Sequence, residues 1–370
     1  MPSIKILHCG DLHIGANEAV LGEKAENRKA EMLLTFEKIV DTAKENGVEL
    51  VLIAGDFLHF NKVSKSLIDR IYDAVNNARD ITFVYAAGNH DPLNFDSPFL
   101  KYEHPENFCV LPTNDGVVEV KEGVKVYGKS FSEIINKGEE RFSLTPDQSD
   151  INIMCIHGEY GMDNGRNPIT DRFIISSGMD YIALGHIHKR TPVQTLGNTR
   201  FAYCGCPEGQ GFDETGEKGV YVGTVGKGEC DLRFVPVNKR MHICEDIDVS
   251  DTVSSPEIYE RILKTLSEKY GSGLTDNLYK INLVGSVTED ADINITEISV
   301  RLNETVYFAK VEDKTTLTFD FNKFKNEMSL KGVFVKKMLQ RIEQQPENEE
   351  KLNKALKIGL QAFGKEEGQA

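Results

Sequence analysis

Five apolar stretches of this chain each break off into a short segment of glycine, aspartate, asparagine and histidine. The segments are Gly10-Asp11-Leu12-His13, Gly55-Asp56-Phe57-Leu58-His59, Gly88-Asn89-His90-Asp91, Ile156-His157-Gly158 and Gly185-His186-Ile187-His188. The preceding stretches, residues 4–9, 48–54, 81–87, 152–157 and 181–184, have the length and character of buried strands. Each polar segment therefore falls at a strand's C-terminal end, where α/β folds place their ligand sites. Six of the 9 histidines lie in these five segments, a clustering that composition alone does not produce.

Between the first strands the apolar period changes to 3.6. Residues 27–46 place Met32, Phe36, Ile39 and Ala43 on one stripe, and Gly47 is suited to end that helix. Residues 66–79 read as a second amphipathic helix. Strand, helix, strand, helix, strand predicts a βαβ unit and a partly parallel sheet. Further strands are expected over 117–120, 124–128, 201–204, 219–225 and 232–237. The whole reads as an α/β domain of two packed sheets flanked by helices, residues 1–240. Near 240 the pattern changes. A helix over 256–270 and strands over 278–287 and 306–311, with a helical stretch between them, suggest a small α/β cap over 241–322. Residues 323–370 form a helical tail, in which Val335, Met338, Leu339 and Ile342 precede Pro346, and Leu352, Leu356 and Leu360 follow it. That apolar stripe suits packing on its own domain; docking a partner helix is the rival reading.

Hydrophobic residues are 40% and charged residues 27% of the 370, the balance of an ordinary globular protein. No apolar run has the length of a membrane span, and the first residues enter a strand pattern with no leader-like region, so a cytoplasmic location is expected. The 7 cysteines fit that compartment: Cys9 and Cys155 sit inside apolar strands, and Cys204-x-Cys206 lacks metal-finger spacing. A net charge of -15 argues against autonomous, tight nucleic-acid binding.

The residue types in the five segments are carboxylate, imidazole and amide, the donors of a hard-to-borderline metal site. In extended backbone, residues i and i+2 share a side, so Asp11 with His13, and His186 with His188, can each face one cavity. Asp56, an isolated carboxylate after a buried strand, needs compensating charge, and a pair of cations would supply it.

The ordered set Asp-x-His, Gly-Asp-x-x-His, Gly-Asn-His-Asp, His-Gly and Gly-His-x-His resembles the calcineurin-like metallophosphoesterases over residues 4 to 190. That resemblance implies the two-sheet metallophosphoesterase sandwich and two divalent metal ions. Asp11, His13, Asp56 and His188 would hold one ion; Asp56, Asn89, His157 and His186 would hold the other, with Asp56 shared. Manganese is the first choice, and iron or zinc suits the same donors. His90 would stand beside the ions as general acid, and His59 would orient His90 or contact a phosphate. Phosphatase branches carry aspartate where His59 stands; SbcD-type double-strand-break nuclease subunits carry histidine. The segment 205–219 also resembles that branch, although 212–219 reads equally as a plain turn. The resemblance thus implies a metal-dependent DNA exo- and endonuclease acting in DNA repair. Its expected partners are DNA, an SMC-like coiled-coil ATPase subunit of SbcC type, and a second copy in a homodimer. The alternative is a small-molecule phosphoesterase on the same metal core; a third reading, a non-catalytic scaffold, fits poorly with a full ligand set. His8, His104 and His242 have no motif around them and read as structural, and Asp91 reads as the tie of its own loop.

Overall fold

The computed structural model describes residues 2–133, 142–162, 167–288, 291–318, 324 and 327–367, without the side chains of 350 and 361–367. Of the expected cap and tail, residues 289–290, 319–323, 325–326 and 368–370 lie outside these. The chain divides into two compact units, Met1–Ile243 and Cys244–Ala370.

In the first unit, Ser3–Cys9, Leu50–Ala54, Thr82–Ala86 and Phe108–Val110 are parallel neighbours, and Gly219–Gly226 and Glu229–Pro236 extend that sheet antiparallel on its other side. The second sheet also has six strands. Val124–Gly128, Ile151–His157, Tyr181–Gly185 and Thr199–Tyr203 run parallel, and Gly116–Lys121 and Gln194–Leu196 are antiparallel edges. Alternation along the strands builds two apolar layers. Ile4, Ile6, Leu50, Leu52 and Val84 face Val126, Ile153 and Ala183 between the sheets. Leu7, Val51, Ile53 and Phe83 turn the other way, against the helices. At about 1.5–3 kcal/mol for each large side chain removed from water, this two-sided burial dominates the fold's stability. The result is an α/β fold of two mixed sheets flanked by helices, as the sequence predicts.

The helix Ala25–Glu45 buries Met32, Phe36, Ile39 and Ala43, the stripe read from the sequence. It stops at Gly47, where Gly47 N–H reaches Lys44 O and Val48 N–H reaches Ala43 O. The helix Lys65–Asn76 starts at Ser64, whose side chain accepts from Leu67 N–H at 3.3 Å.

His8 ties the sheets together. It is fully buried; its Nδ1 accepts from the Tyr181 hydroxyl at 2.8 Å and its Nε2–H donates to Leu184 O at 3.2 Å. Burial pushes its pKa down to about 3. The unfolded chain takes up this proton below about 6.5 and the folded chain does not, so the contribution is complete above that pH and fades on acidification, by about 1.4 kcal/mol per unit. Between pH 7 and pH 5, urea unfolding should show the native chain losing about 2 kcal/mol more than His8→Gln. Equal losses in the two chains would refute this role.

Beginning at the division between the units, the strand His242–Asp248 joins Leu278–Val284 and Phe308–Asp313 in a three-stranded sheet, with Leu278–Val284 central, and the helices Ser255–Tyr270 and Ile295–Thr305 follow its strands. The expected strand over 278–287 is divided. Gly285, at φ +99°, turns the chain so that Ser286–Thr288 pairs with Thr316–Thr318 in a separate two-stranded ribbon. The helices Leu330–Gln344 and Glu349–Glu367 flank a short turn at Pro346–Asn348. Val335, Leu356 and Leu360 pack with Phe324, Met338, Leu339 and Ile342, whereas Leu330, Val333 and Ile358 stay exposed. Among the described residues, no helix is long and apolar enough to cross a membrane.

Candidate metal centre

All five motif segments leave the C-terminal ends of parallel strands, three from the first sheet and two from the second, and converge on one pocket. The backbone there is not extended. Five described non-glycine residues have positive φ, and four belong to the pocket: Asp11 (52°), His13 (46°), Asp56 (48°) and His186 (100°). The i, i+2 rationale for Asp11 with His13 therefore gives way to left-handed turns, a costly conformation that the surroundings must impose. Here they do so with Asp11 N–H donating to Gly55 O at 3.0 Å and His13 N–H to Asp56 O at 2.9 Å. Gly88 is required for a different reason: a Cβ at that position would lie 2.2 Å from Asp56 Oδ1.

Asp56 occupies the centre. Its Oδ2 lies 3.6 Å from His13 Nε2 and 3.4 Å from His157 Nε2, and its Oδ1 accepts the backbone N–H of His90 at 2.8 Å. On one side, His13 Nε2 meets His188 Nε2 at 3.0 Å. On the other, His157 Nε2 lies 3.1 Å from both Asn89 Oδ1 and His186 Nδ1. His157 Nδ1–H donates to Ala54 O at 2.9 Å, which turns Nε2 inward. Asp11 accepts the backbone N–H of His186 at 2.9 Å. Within the pocket, Asp11–His13–His188 and Asp56–His157–His186 each bring three donor atoms within 4.8 Å of one another, close enough to hold an ion. The seven side chains proposed as ligands from the sequence thus come together.

The electrostatics ask for positive charge. Burial is the largest influence on Asp11 and pushes its carboxyl up to about 6. Burial acts the same way on Asp56, but the imidazoles of His157 and His13 outweigh it and hold that carboxyl well below the usual range. Burial opposes a charge on His157, and Asp56 and Asp11 override it, raising its pKa to about 9. The carboxylates draw a proton onto a fully buried imidazole, into a space lined by inward-facing nitrogen and oxygen lone pairs. A divalent cation satisfies those same atoms at once, so the residues present fit such an ion.

His90 is exposed at the mouth. Its Nδ1–H donates to His59 O at 3.2 Å, leaving Nε2 free. The His59 and His90 rings stack with centroids 5.1 Å apart, and His59 Nδ1 lies 3.4 Å from His13 Nδ1. Burial and the neighbouring His90 lower the His59 pKa. Asp91 ties its loop as read from the sequence, accepting Gly88 N–H at 2.8 Å and Leu58 N–H at 2.9 Å. His242 meets Glu18 at 3.2 Å and His104 meets Phe99 O at 2.6 Å, both structural contacts.

Two residues went unread in the sequence. Glu159 Oε1 lies 2.7 Å from His186 Nε2, and Glu214 Oε1 contacts His188 Nδ1. Glu159 stands two residues beyond His157, and Glu214 lies in the 212–219 segment, which is therefore more than a turn between strands. A buried charge cluster holds residues 208–209, just ahead of that segment. Arg28 donates to Glu208 Oε2 and Gly209 O, both at 2.8 Å, and to Glu18 Oε1 at 3.0 Å.

Carboxylates and imidazoles gathered at the open strand ends of a two-sheet α/β sandwich define a metal-dependent hydrolase. The chain belongs to the calcineurin-like phosphoesterases, whose family model matches residues 4–190. It is similar to the uncharacterized metallophosphoesterase YhaO of Bacillus subtilis, 25% identical over 288 residues that are 72% of this chain and 69% of that one. It is also similar to the DNA double-strand break repair protein Mre11 of Sulfolobus acidocaldarius, 24% identical over 80% of this chain and 78% of that one. The Mre11 protein of Methanopyrus kandleri is 23% identical over 59% of this chain and 52% of its own length.

Proposed function

We propose that this metallophosphoesterase is a phosphodiesterase acting on DNA in strand-break repair, with two divalent ions gripped around Asp56. The observation that carries it is the central Asp56 carboxylate, which lies within 3.6 Å of His13 on one side and 3.4 Å of His157 on the other. Asp11, His13 and His188 would complete one ion's site, and Asn89, His157 and His186 the other's. Bound there, the ions would generate a nucleophile from water near neutral pH and offset the charge gathering on the phosphoryl oxygens. The chain's own part lies at the mouth. His90, its Nδ1–H fixed on the His59 carbonyl, presents Nε2 to protonate the departing sugar oxygen. His59, stacked on that ring, keeps it aimed.

The Mre11 relatives and the histidine at position 59 support DNA as the substrate and an SMC-like ATPase as the partner, with a second copy of the chain completing a homodimer. Residues 1–240 would form the catalytic domain, 241–322 the cap and 323–370 the segment available to the ATPase. Manganese is the proposed metal and the cytoplasm the proposed compartment. The second reading, a small-molecule phosphoesterase, draws on the net charge of -15, which does nothing to attract a polyanion.

One assay separates them. With manganese present, the full chain is incubated with linear duplex DNA and hairpin DNA, and in parallel with p-nitrophenyl phosphate and its bis ester. Cleavage of DNA and the diester with little monoester turnover is expected. Monoester turnover with intact DNA, even alongside the ATPase, would move the assignment to the small-molecule class.

A further inference from the structure

We propose that Glu159 and Glu214 are positioning residues, each fixing the orientation and tautomer of one histidine in Gly185-His186-Ile187-His188, so that each of the two ions depends on a different glutamate. This rests on the two-ion reading above.

The two rings are held in the same way but with opposite nitrogens. His186 turns Nδ1 toward His157 Nε2 at 3.1 Å and Nε2 toward Glu159 Oε1 at 2.7 Å. His188 turns Nε2 toward His13 Nε2 at 3.0 Å and Nδ1 toward Glu214 Oε1. An ionised carboxylate only accepts, so the nitrogen facing it carries the hydrogen. The other nitrogen then presents a bare lone pair to the pocket. Without the glutamate, each ring could flip or adopt the other tautomer, and the lone pair would face away for much of the time.

Both glutamates are themselves restrained. Glu214 Oε2 accepts Gln210 N–H at 2.8 Å, and the Cys206 thiol donates to it at 3.5 Å. The strand pair Glu159–Tyr160 with Pro168–Ile169 carries Glu159, whose own N–H donates to Asn167 O at 3.1 Å. Glu214 is thus anchored through its second oxygen as well. Their side chains are only 16% and 15% exposed, so water competes poorly for either contact.

Manganese titrated into the metal-free full chain, followed by calorimetry, gives the test. Glu214→Ala and Glu159→Ala should each weaken one of the two binding steps by about 10–100-fold and leave the other within about twofold. Glutamine at either position, which keeps an acceptor oxygen, should recover most of the loss. Added to His188→Ala, the Glu214→Ala change should cost nothing further, because its effect passes through that ring. A Glu214→Ala chain that leaves both steps unchanged, or weakens both alike, overturns the proposal. If an alanine chain fails to fold, nitrogen NMR of the native metal-free chain at alkaline pH decides the matter. His186 should carry its hydrogen on Nε2 and His188 on Nδ1, and the reverse tautomers would refute it. A native chain that binds no manganese would instead end the two-ion reading itself, and the tautomers would still report on the glutamates.

Discussion

Asp56→Asn should leave a folded chain that no longer retains divalent ions and no longer hydrolyses phosphodiesters. The substitution is nearly isosteric, and asparagine tolerates the left-handed backbone that Asp56 adopts at φ +48°. The amide oxygen can still accept the His90 N–H that Oδ1 now receives at 2.8 Å. What disappears is the negative charge between His13 and His157. Removing one member of a buried charge set costs about 3–5 kcal/mol, or roughly 10²–10⁴-fold in ion affinity at about 1.4 kcal/mol per tenfold. Elemental analysis after gel filtration measures it directly, with thermal unfolding of the metal-free chains as the control for folding. Two ions per chain, held as firmly as in the native protein, would remove Asp56 from the centre of the site.

His90→Ser is expected to do the opposite: full ion content and little cleavage. The contact from position 90 to Asp56 runs through the backbone N–H, which serine keeps. The side chain reaches only the His59 carbonyl and the neighbouring rings. A general acid contributes about 10²–10⁴-fold, so turnover of DNA, whose sugar oxygen is a poor leaving group, should fall by that factor. Substrates whose leaving group departs readily without a proton, such as p-nitrophenolate, should suffer less than DNA. Ion content that falls in step with activity would make His90 a ligand and not the acid.

Much of this site was legible because the chemistry is written in short segments. A buried strand of Val, Ile and Leu has a fixed length, so the polar residues after it are placed at its end whatever the rest of the chain does. Asp11, Asp56, Asn89, His157 and His186 were found that way. The turns that aim them were not legible: nothing in Gly10-Asp11-Leu12-His13 signals two left-handed residues, since hydrogen bonds from a different strand's loop impose them. Glu214 was hidden for a similar reason. It meets His188 across 26 positions of sequence, a contact that no local pattern announces. The strand His242–Asp248 escaped notice because its alternation is weak, with Glu245 and Asp246 in the middle. The division at Gly285 shows the converse, a local residue overriding an apolar run that looked continuous.

The pocket draws Asp11, His13, Asp56 and Asn89 from one sheet and His157, His186 and His188 from the other, so each group of donors straddles the seam of the sandwich. Prising the layers apart would then also release an ion bound between them. The surrounding concentration of free divalent ions would act as a setting on heat tolerance, adding about 1.4 kcal/mol per bound ion for every tenfold rise above its dissociation constant. A cell that starves this protein of metal would lose its durability along with its catalysis.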